Sequence, residues 1–330
     1  MSTITDIKQL DRTAWTELVQ KSSTATWFQT PEAYDFYASL PEMMTPFIVA
    51  VEDEALLRAV CVGYVTKERN PLKQFFTRRA IIIGGPVLAN DATAEEVSEL
   101  MQAVKITLLS GRAGVGQAPI YIETRNFNDY SRWCHVFEQC GFNYYPHYDM
   151  FINCTAREKM LARIAESKAR QIRKAENDGV QIMEAETAQE VHDFYCLLRE
   201  LYRSKVHRPL FPEAFFQRFV ADKRGVLLLA KQKGMVIGGM ICPILEEKVI
   251  YEWYVVGPAI VTWAAMDYAN KHHIPLFDLM GAGEPGVPYG VRDFKLQFGG
   301  ELKEYGRFVK INNKMLYQAG KAGVKILAKR

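Results

Sequence analysis

Six cysteines, at positions 61, 134, 140, 154, 196 and 242, form no CxxC pair and show no zinc-type spacing with histidine. That absence excludes a disulfide framework and a zinc module, so the thiols read as reduced and mostly buried. Long apolar runs are also missing. The longest nearly uncharged one, Ala80 to Asn90, is broken by Gly84, Gly85 and Pro86 and falls short of the roughly 18 residues that cross a bilayer. The start, MSTITDIKQLDRTAW, has neither the basic opening nor the continuous apolar core of a secretory signal, so the expected location is cytoplasmic. Strong charge of one sign is absent as well. A net charge of +3 does not announce a nucleic-acid binder, and no DNA partner is expected.

What is present is a globular composition, 48% hydrophobic and 24% charged over 330 residues, long enough for two cores when single domains run about 100 to 200 residues. Residues 47–51, 60–66 and 79–87 read as three strands in series, a meander. A helix over 93–110, with Asp91 as its cap, leads to the strand PIYIETRN, a helix over 130–141 and the strand HYDMFINC. The second half repeats the order. A basic helix over 157–178 precedes the strand VQIMEAET and helices over 188–205 and 212–222. The strands VLLLAKQ, MVIGGMICPI and KVIYEWYVV follow, then the helix TWAAMDYANKHH and the strands PLFDLM and KEYGRFVKI.

Both halves thus share three strands, helix, strand, helix, strand, which predicts α/β domains over 1–154 and 155–330. A single large mixed α/β domain is the alternative. The repeat reaches detail in "FEQCGFNYYPHYDMFIN" and "KLQFGGELKEYGRFVKIN". Aligned on Gly141 and Gly299, the first copy has Phe137 where the second has Lys295. The glycines are expected to stop a short helix so that the chain re-enters a sheet.

If residues 291–298 are helical, Val291, Phe294 and Phe298 share a face and Lys295 lies inside it. A lysine aimed inward finds an anion, lowers its pKa or extends its stem to water. It is therefore either a structural lysine, paired with Glu252 or Asp278, or a functional cation. Glu252 and Tyr254 in YEWYVV are expected on one sheet face, and the acids Glu252 and Asp278 interrupt apolar strands as structural or proton-handling carboxyls. The segment 157–176 is the strongest local charge, and Arg163, Arg170 and Lys174, with Arg173 beside them, suit a pyrophosphate, an RNA backbone or simply a solvated face. GRAGVG at 111–116 has the wrong spacing and context for a phosphate cradle and reads as a turn. His272 and His273 read as a helix C-terminal cap. The basic segment NKMLYQAGKAGVKILAKR could touch anionic lipid, although its glycines favour a packed or frayed tail.

WFQTPEAY, IGGPV, KARQIRKAENDGV, FDLMGAG and above all YGVRDFKLQFGG together resemble the FemABX family across nearly the whole chain. The resemblance implies two tandem GNAT-like acyltransferase domains. It also implies transfer of an amino acid from aminoacyl-tRNA to an amino group on a peptidoglycan-precursor peptide. No separate cofactor is then required. Lys295 would steady the charge that develops on the carbonyl oxygen, with Glu252 and Asp278 as further catalytic groups. Phe294, Tyr254, Tyr289, Arg292, Arg163, Arg170, Arg173 and Lys174 would bind substrate. Peripheral contact with the inner membrane face would bring the enzyme to its precursor. Two departures are visible: the second half has no heptad run like the tRNA-binding arm of some members, and VVGPAIVTW makes a short strand-to-helix link. The alternatives are a coenzyme A-dependent N-acyltransferase acting on an amino sugar or envelope polymer, and a non-catalytic module that binds cell-wall peptide.

Overall fold

The computed structural model describes residues 1–110 and 117–327. It contains two compact units, Met1–Pro146 together with the chain from Tyr305 onward, and His147–Glu304. The first runs through β1 (Ser2–Ile4), α1 (Arg12–Lys21), α2 (Pro31–Ala38), β2 (Met44–Asp53), β3 (Leu56–Thr66), α3 (Pro71–Thr77), β4 (Ala80–Gly84), β5 (Val87–Leu88), α4 (Ala94–Leu109), β6 (Tyr121–Asn126), α5 (Cys134–Gln139) and β7 (Asn143–Tyr145). The second holds β8 (Tyr148–Asn153), α6 (Arg157–Arg163), α7 (Glu166–Asn177), β9 (Gln181–Glu184), α8 (Ala188–Leu201), α9 (Glu213–Ala221), β10 (Gly225–Gln232), β11 (Met235–Leu245), β12 (Val249–Tyr251), β13 (Tyr254–Val256), α10 (Ile260–Lys271), β14 (Leu276–Asp278), α11 (Gly290–Leu296) and β15 (Glu301–Glu304). Strand β16 (Arg307–Ile311) and α12 (Lys314–Leu327) return to the first unit.

The two sheets have one topology. Their orders are β1-β2-β3-β4-β6-β16-β7 and β9-β10-β11-β12-β14-β8-β15. In each the fourth and fifth strands are parallel and the other neighbours antiparallel. In each a short extra strand, β5 or β13, pairs with the third. The sixth place shows an exchange: β8, expected to close the first domain, belongs to the second sheet, and β16 fills the matching place in the first. The compact units therefore do not divide at 154/155. Adjacency in sequence does not decide which sheet a returning strand joins when both offer the same open edge.

Local signals explain most elements. Helix α4 opens with a capping box in which the Thr93 hydroxyl receives the Glu96 N–H and the Glu96 carboxylate receives the Thr93 N–H. Asp91, the expected cap, instead binds Arg58 at 2.9 Å. Gly141 and Gly299 both end their helices with left-handed φ, +86° and +81°, as the alignment predicts. The expected basic helix over 157–178 is interrupted. Ile164 is extended and buried, and the Ala165 N–H bonds to the Gln297 carbonyl at 2.8 Å, so α6 and α7 are separate and Arg163 shares no face with Arg170 and Lys174. Helix α3, which no periodicity announced, is capped by Asn70, whose side chain receives the Leu72 and Lys73 N–H groups. Helix α12 forms despite two glycines and packs beside α3, with Tyr317 edge-on to Tyr121 at 5.2 Å. The turn GRAGVG lies outside the described residues.

In the first unit α4 lays Val97, Leu100, Met101, Val104 and Leu108 into the core, and Phe137 stacks on Phe308 at 4.2 Å. Where β3 and β4 part, Gln29 from WFQTPEAY fills the gap. Its Nε2 donates to the Val62 and Ile83 carbonyls, both at 2.8 Å, and its Oε1 accepts the Val62 N–H at 2.7 Å. All six cysteines are free and four of them are buried. Among the described residues no cluster of three or more His, Cys, Asp or Glu could hold a metal, and no helix is long and apolar enough to cross a membrane.

A Gln29→Ala substitution strands three buried backbone groups, each costing about 1–3 kcal/mol when unsatisfied. The expected result is a loss of about 3 kcal/mol or more in urea denaturation of the full chain. A loss under about 1 kcal/mol would show that water replaces the amide.

Candidate active site

The second unit brings Lys295, Glu252 and Asp278 together. Lys295 comes from α11, where it is buried while Val291 and Leu296 are exposed, so the inward face is narrower than the sequence spacing predicts and Val291 is not on it. The reason is length: α11 ends at Leu296, before Phe298 could continue the face. Phe294 stays half-buried against Phe298, with rings 5.3 Å apart, and under the Lys168 ammonium, 4.4 Å from its ring centre.

The Lys295 ammonium meets only oxygen. It donates to the Leu279 carbonyl, lies 3.4 Å from the Gly281 carbonyl and sits 3.1 Å from Glu252 Oε1. Three partners match its three N–H donors. Met280 stands between the two carbonyl-bearing residues in a left-handed conformation, φ +58°, unusual for a side chain of that size. The peptide on either side is thereby turned so that both carbonyls point at one atom.

Glu252 reaches this point because the strand YEWYVV is interrupted. Its N–H bonds to the Asp278 carbonyl of β14, whereas the Trp253 N–H bonds to the Ile241 carbonyl of β11. The backbone splays there, β12 following β14 and β13 following β11 alone. The alternation that would put Glu252 and Tyr254 on one face is broken. Tyr254 instead joins an aromatic layer with Tyr202, Phe215, Phe216 and Trp253, ring centres 5.1–6.2 Å away. Burial raises the Glu252 carboxyl above its ordinary range, and Lys295 partly offsets that.

Asp278 has a partner that sequence reasoning missed, Asp149 on β8. Both are buried. Asp278 Oδ1 accepts the Met280 N–H at 2.6 Å, and the Asp149 carboxyl is within hydrogen-bonding reach. Burial first, and then the Asp149 charge, push the Asp278 carboxyl well up, against the pull of the Met280 N–H and Lys295. A carboxyl beside a second one favours its neutral form, because two like charges in one buried place repel. An acid inside an apolar strand was the signal that singled out Asp278, and HYDMFINC carries the same signal. It went unused because that strand was assigned to the other domain.

Residues outside this cluster have structural partners. Arg292 donates to the carbonyls of Ala282, Glu284 and Val287 at 2.5–3.4 Å, clamping the loop that carries Gly283, over which Tyr289 packs. Tyr289 also lies close enough to Tyr202 to help raise its phenol, which burial already pushes to about 12. Arg163 pairs with Glu301, Arg170 with Glu166 and Lys174 with Asp178; these three and Arg173 are exposed, Arg163 on α6 and the others on α7. At α10 the first turn is built from Ile260, Val261 and Thr262, all buried, and a Cβ on Gly257 would stand 2.5 Å from the Gly238 Cα.

The same register in the first sheet carries different chemistry. Asp278 lies opposite Phe151 and Glu123 opposite Val309, positions that coincide when the copies are aligned on their glycines. Asp149 then corresponds to Arg307, and Lys295 to Phe137. Glu123 is bonded by Arg307 at 2.8 Å and Arg125 at 3.1 Å. Burial would raise it, but the two guanidinium groups outweigh burial and hold it at about 2. The first copy pairs its buried acid with two guanidinium groups, and the second sets two acids side by side.

No protein-family model matches the sequence and no curated protein is similar to it. Solved structures do share the fold. FemX superposes with a TM-score of 0.71 at 13% identity, covering 97% of this chain and 99% of its own. L-PGS from Bacillus licheniformis gives 0.57 at 9% identity over 97% and 98%. A tandem GNAT protein from the clavulanic acid biosynthesis pathway gives 0.54 at 9% over 93% and 97%. The fold is that of FemX, two tandem GNAT-like domains.

Because Asp278 holds its proton above the ordinary value of 3.8, its share of stability is complete below that value and is lost as pH rises through the raised one. Asp278→Asn keeps a donor toward Asp149 and does not titrate. Urea midpoints between about pH 5 and about pH 9 should fall less steeply with pH in the variant than in the parent, and equal slopes would exclude the raised Asp278 carboxyl.

Proposed function

We propose that this chain, which has the FemX fold, is an aminoacyltransferase: it moves an amino acid from the ester of an aminoacyl-tRNA to an amino group on the peptide of a peptidoglycan precursor. The observation that carries the reading is the Lys295 ammonium, buried and fixed by Glu252 and two carbonyls in the second unit. Coarser support comes from the fold, which FemX shares over the whole chain.

The acceptor nitrogen attacks the ester carbonyl carbon and the carbonyl oxygen takes up negative charge. Lys295 Nζ is the cation for that oxygen. Its 3.4 Å contact with the Gly281 carbonyl is the weakest of its three and the one an oxyanion would replace, leaving Glu252 and Leu279 to hold the ammonium in place. The C–O bond then breaks, the amide forms, and the proton lost by the amine ends on the departing ribose hydroxyl. Glu252, raised by burial, is suited to pass that proton. The exposed Arg170, Arg173 and Lys174 of α7 offer the donor's phosphates basic side chains, with Arg163 apart from them on α6.

With a charged tRNA pool and a precursor, the product should gain the mass of one amino acid residue. Lys295→Met should lower kcat by about 10²–10³, with Asp149→Asn and Glu252→Gln measured alongside. No mass gain with several precursors would overturn the reading, gain from an acyl-coenzyme A instead would replace the donor, and full activity of Lys295→Met would remove its role.

A further inference from the structure

An exposed apolar surface lies on α3 and α12, in the unit that does not contain Lys295. Leu72, Phe75 and Phe76 occupy one face of α3 at i, i+3 and i+4 and are 69%, 45% and 44% exposed. The two phenyl rings meet edge-on at 5.1 Å, so they form one projecting knob. Helix α12 lies beside α3, with Gly320 against the Phe76 carbonyl: a Cβ there would stand 4.0 Å from that oxygen. Tyr317 faces inward onto Tyr121. On the far side Met315, Ala319 and Ala322, at i, i+4 and i+7, make an exposed apolar stripe, with Met315 85% exposed.

Charge surrounds these surfaces. Residues 67–79 hold five basic side chains against one acid, and residues 314–330 hold five against none, although the whole chain is only +3. Arg78 is buried and spent on Ala118 and Gln117, but Lys67, Arg69, Lys73, Lys314 and Lys321 are exposed. Lys67 donates to the Pro41 carbonyl, and Lys73 lies 3.6 Å from Glu68, the acid in this segment. The rest of the chain carries the acidic excess.

We infer that α3 and α12 form a docking surface for an anionic phospholipid bilayer, with Leu72, Phe75, Phe76 and Met315 entering the acyl boundary while the lysines meet the headgroups. A helix with an apolar stripe flanked by lysines lies in that interface, held by apolar burial and by attraction to anionic lipid. An apolar face of this kind offers no hydrogen-bond donor to a phosphate backbone, and the basic rim disfavours a second copy, which would set like charges against each other. The inference rests on the surface alone and stands or falls apart from the transfer reaction.

The test is flotation of the full chain with vesicles of phosphatidylcholine alone or with ~30% phosphatidylglycerol. Binding is expected to the anionic vesicles and to fall as salt rises from about 0.1 M to about 0.5 M. Phe75→Ser with Phe76→Ser should weaken it at least about tenfold, as should Lys314→Glu with Lys321→Glu, while circular dichroism and Gln29-dependent stability stay as in the parent. If the parent fails to float, or if both double variants bind as the parent does, the inference is wrong. It is equally wrong if the variants instead abolish self-association or a tRNA gel shift in a chain that ignores vesicles.

Discussion

A buried ammonium with only oxygen around it constrains the second unit more than any other contact. Taking the Lys295 charge out of water costs several kcal/mol, and only a complete set of acceptors offsets it. That requirement accounts for features that would otherwise look unrelated. The left-handed Met280 brings two carbonyls to one point. The splay at Glu252 and Trp253 sends a carboxylate inward from a strand that would otherwise alternate. Each is a local departure from regular structure, and both converge on Nζ. Removing Glu252 alone would leave a buried charge short of its counterion, a change that costs about 3–5 kcal/mol in buried pairs. Structural and catalytic readings of the lysine are therefore not rivals: the partners that make the charge tolerable are also those that would hold it still.

The internal duplication sharpens this. Two sheets with one topology offer the same positions, and the residues at them differ in kind. In the first copy Phe137 stacks on Phe308 and Glu123 is bracketed by Arg307 and Arg125. Gln29 fills the gap where β3 and β4 part. The buried acid there is paired on both sides, which suits a scaffold. In the second copy a cation replaces the phenyl ring and an acid replaces the arginine, and burial together with the Asp149 charge pushes the Asp278 carboxyl well up. A perturbed carboxyl beside a fixed cation is the pattern expected where chemistry is done, although ion clusters kept for structure also perturb carboxyls. The matched first copy is the internal control: the same backbone does not by itself require the imbalance.

Much of this was legible in the sequence. Periodicity and glycine placement gave the order of elements, the repeat and the inward direction of Lys295, because these follow from local backbone preferences. The acids within apolar strands pointed to Glu252 and Asp278 for the same reason. What was not legible depended on pairing at a distance. The exchange of β8 and β16 is invisible locally, since both strands suit either sheet, and it concealed Asp149. The break between α6 and α7 depends on a bond from Ala165 to Gln297, and the separation of Glu252 from Tyr254 on two different neighbouring strands. Arg292 looked like a substrate ligand because a loop that folds back onto a guanidinium leaves no mark in composition.

The exchange also decides which stretch of chain can carry the site. A segment beginning at 155 would lack β8, and with it both Asp149 and the antiparallel neighbour of β14 on which Asp278 sits. It would retain β16, whose partners β6 and β7 belong to the first unit, so an unpaired edge would be added where a buried strand had been lost. The residues 147–304 contain every member of the cluster, from Asp149 to Lys295, and both strands that flank β14. The pair of buried acids is thus tied to the strand exchange. One carboxyl arrives on a strand that precedes the repeat to which it contributes, and the site exists only because that strand does not close the sheet it follows.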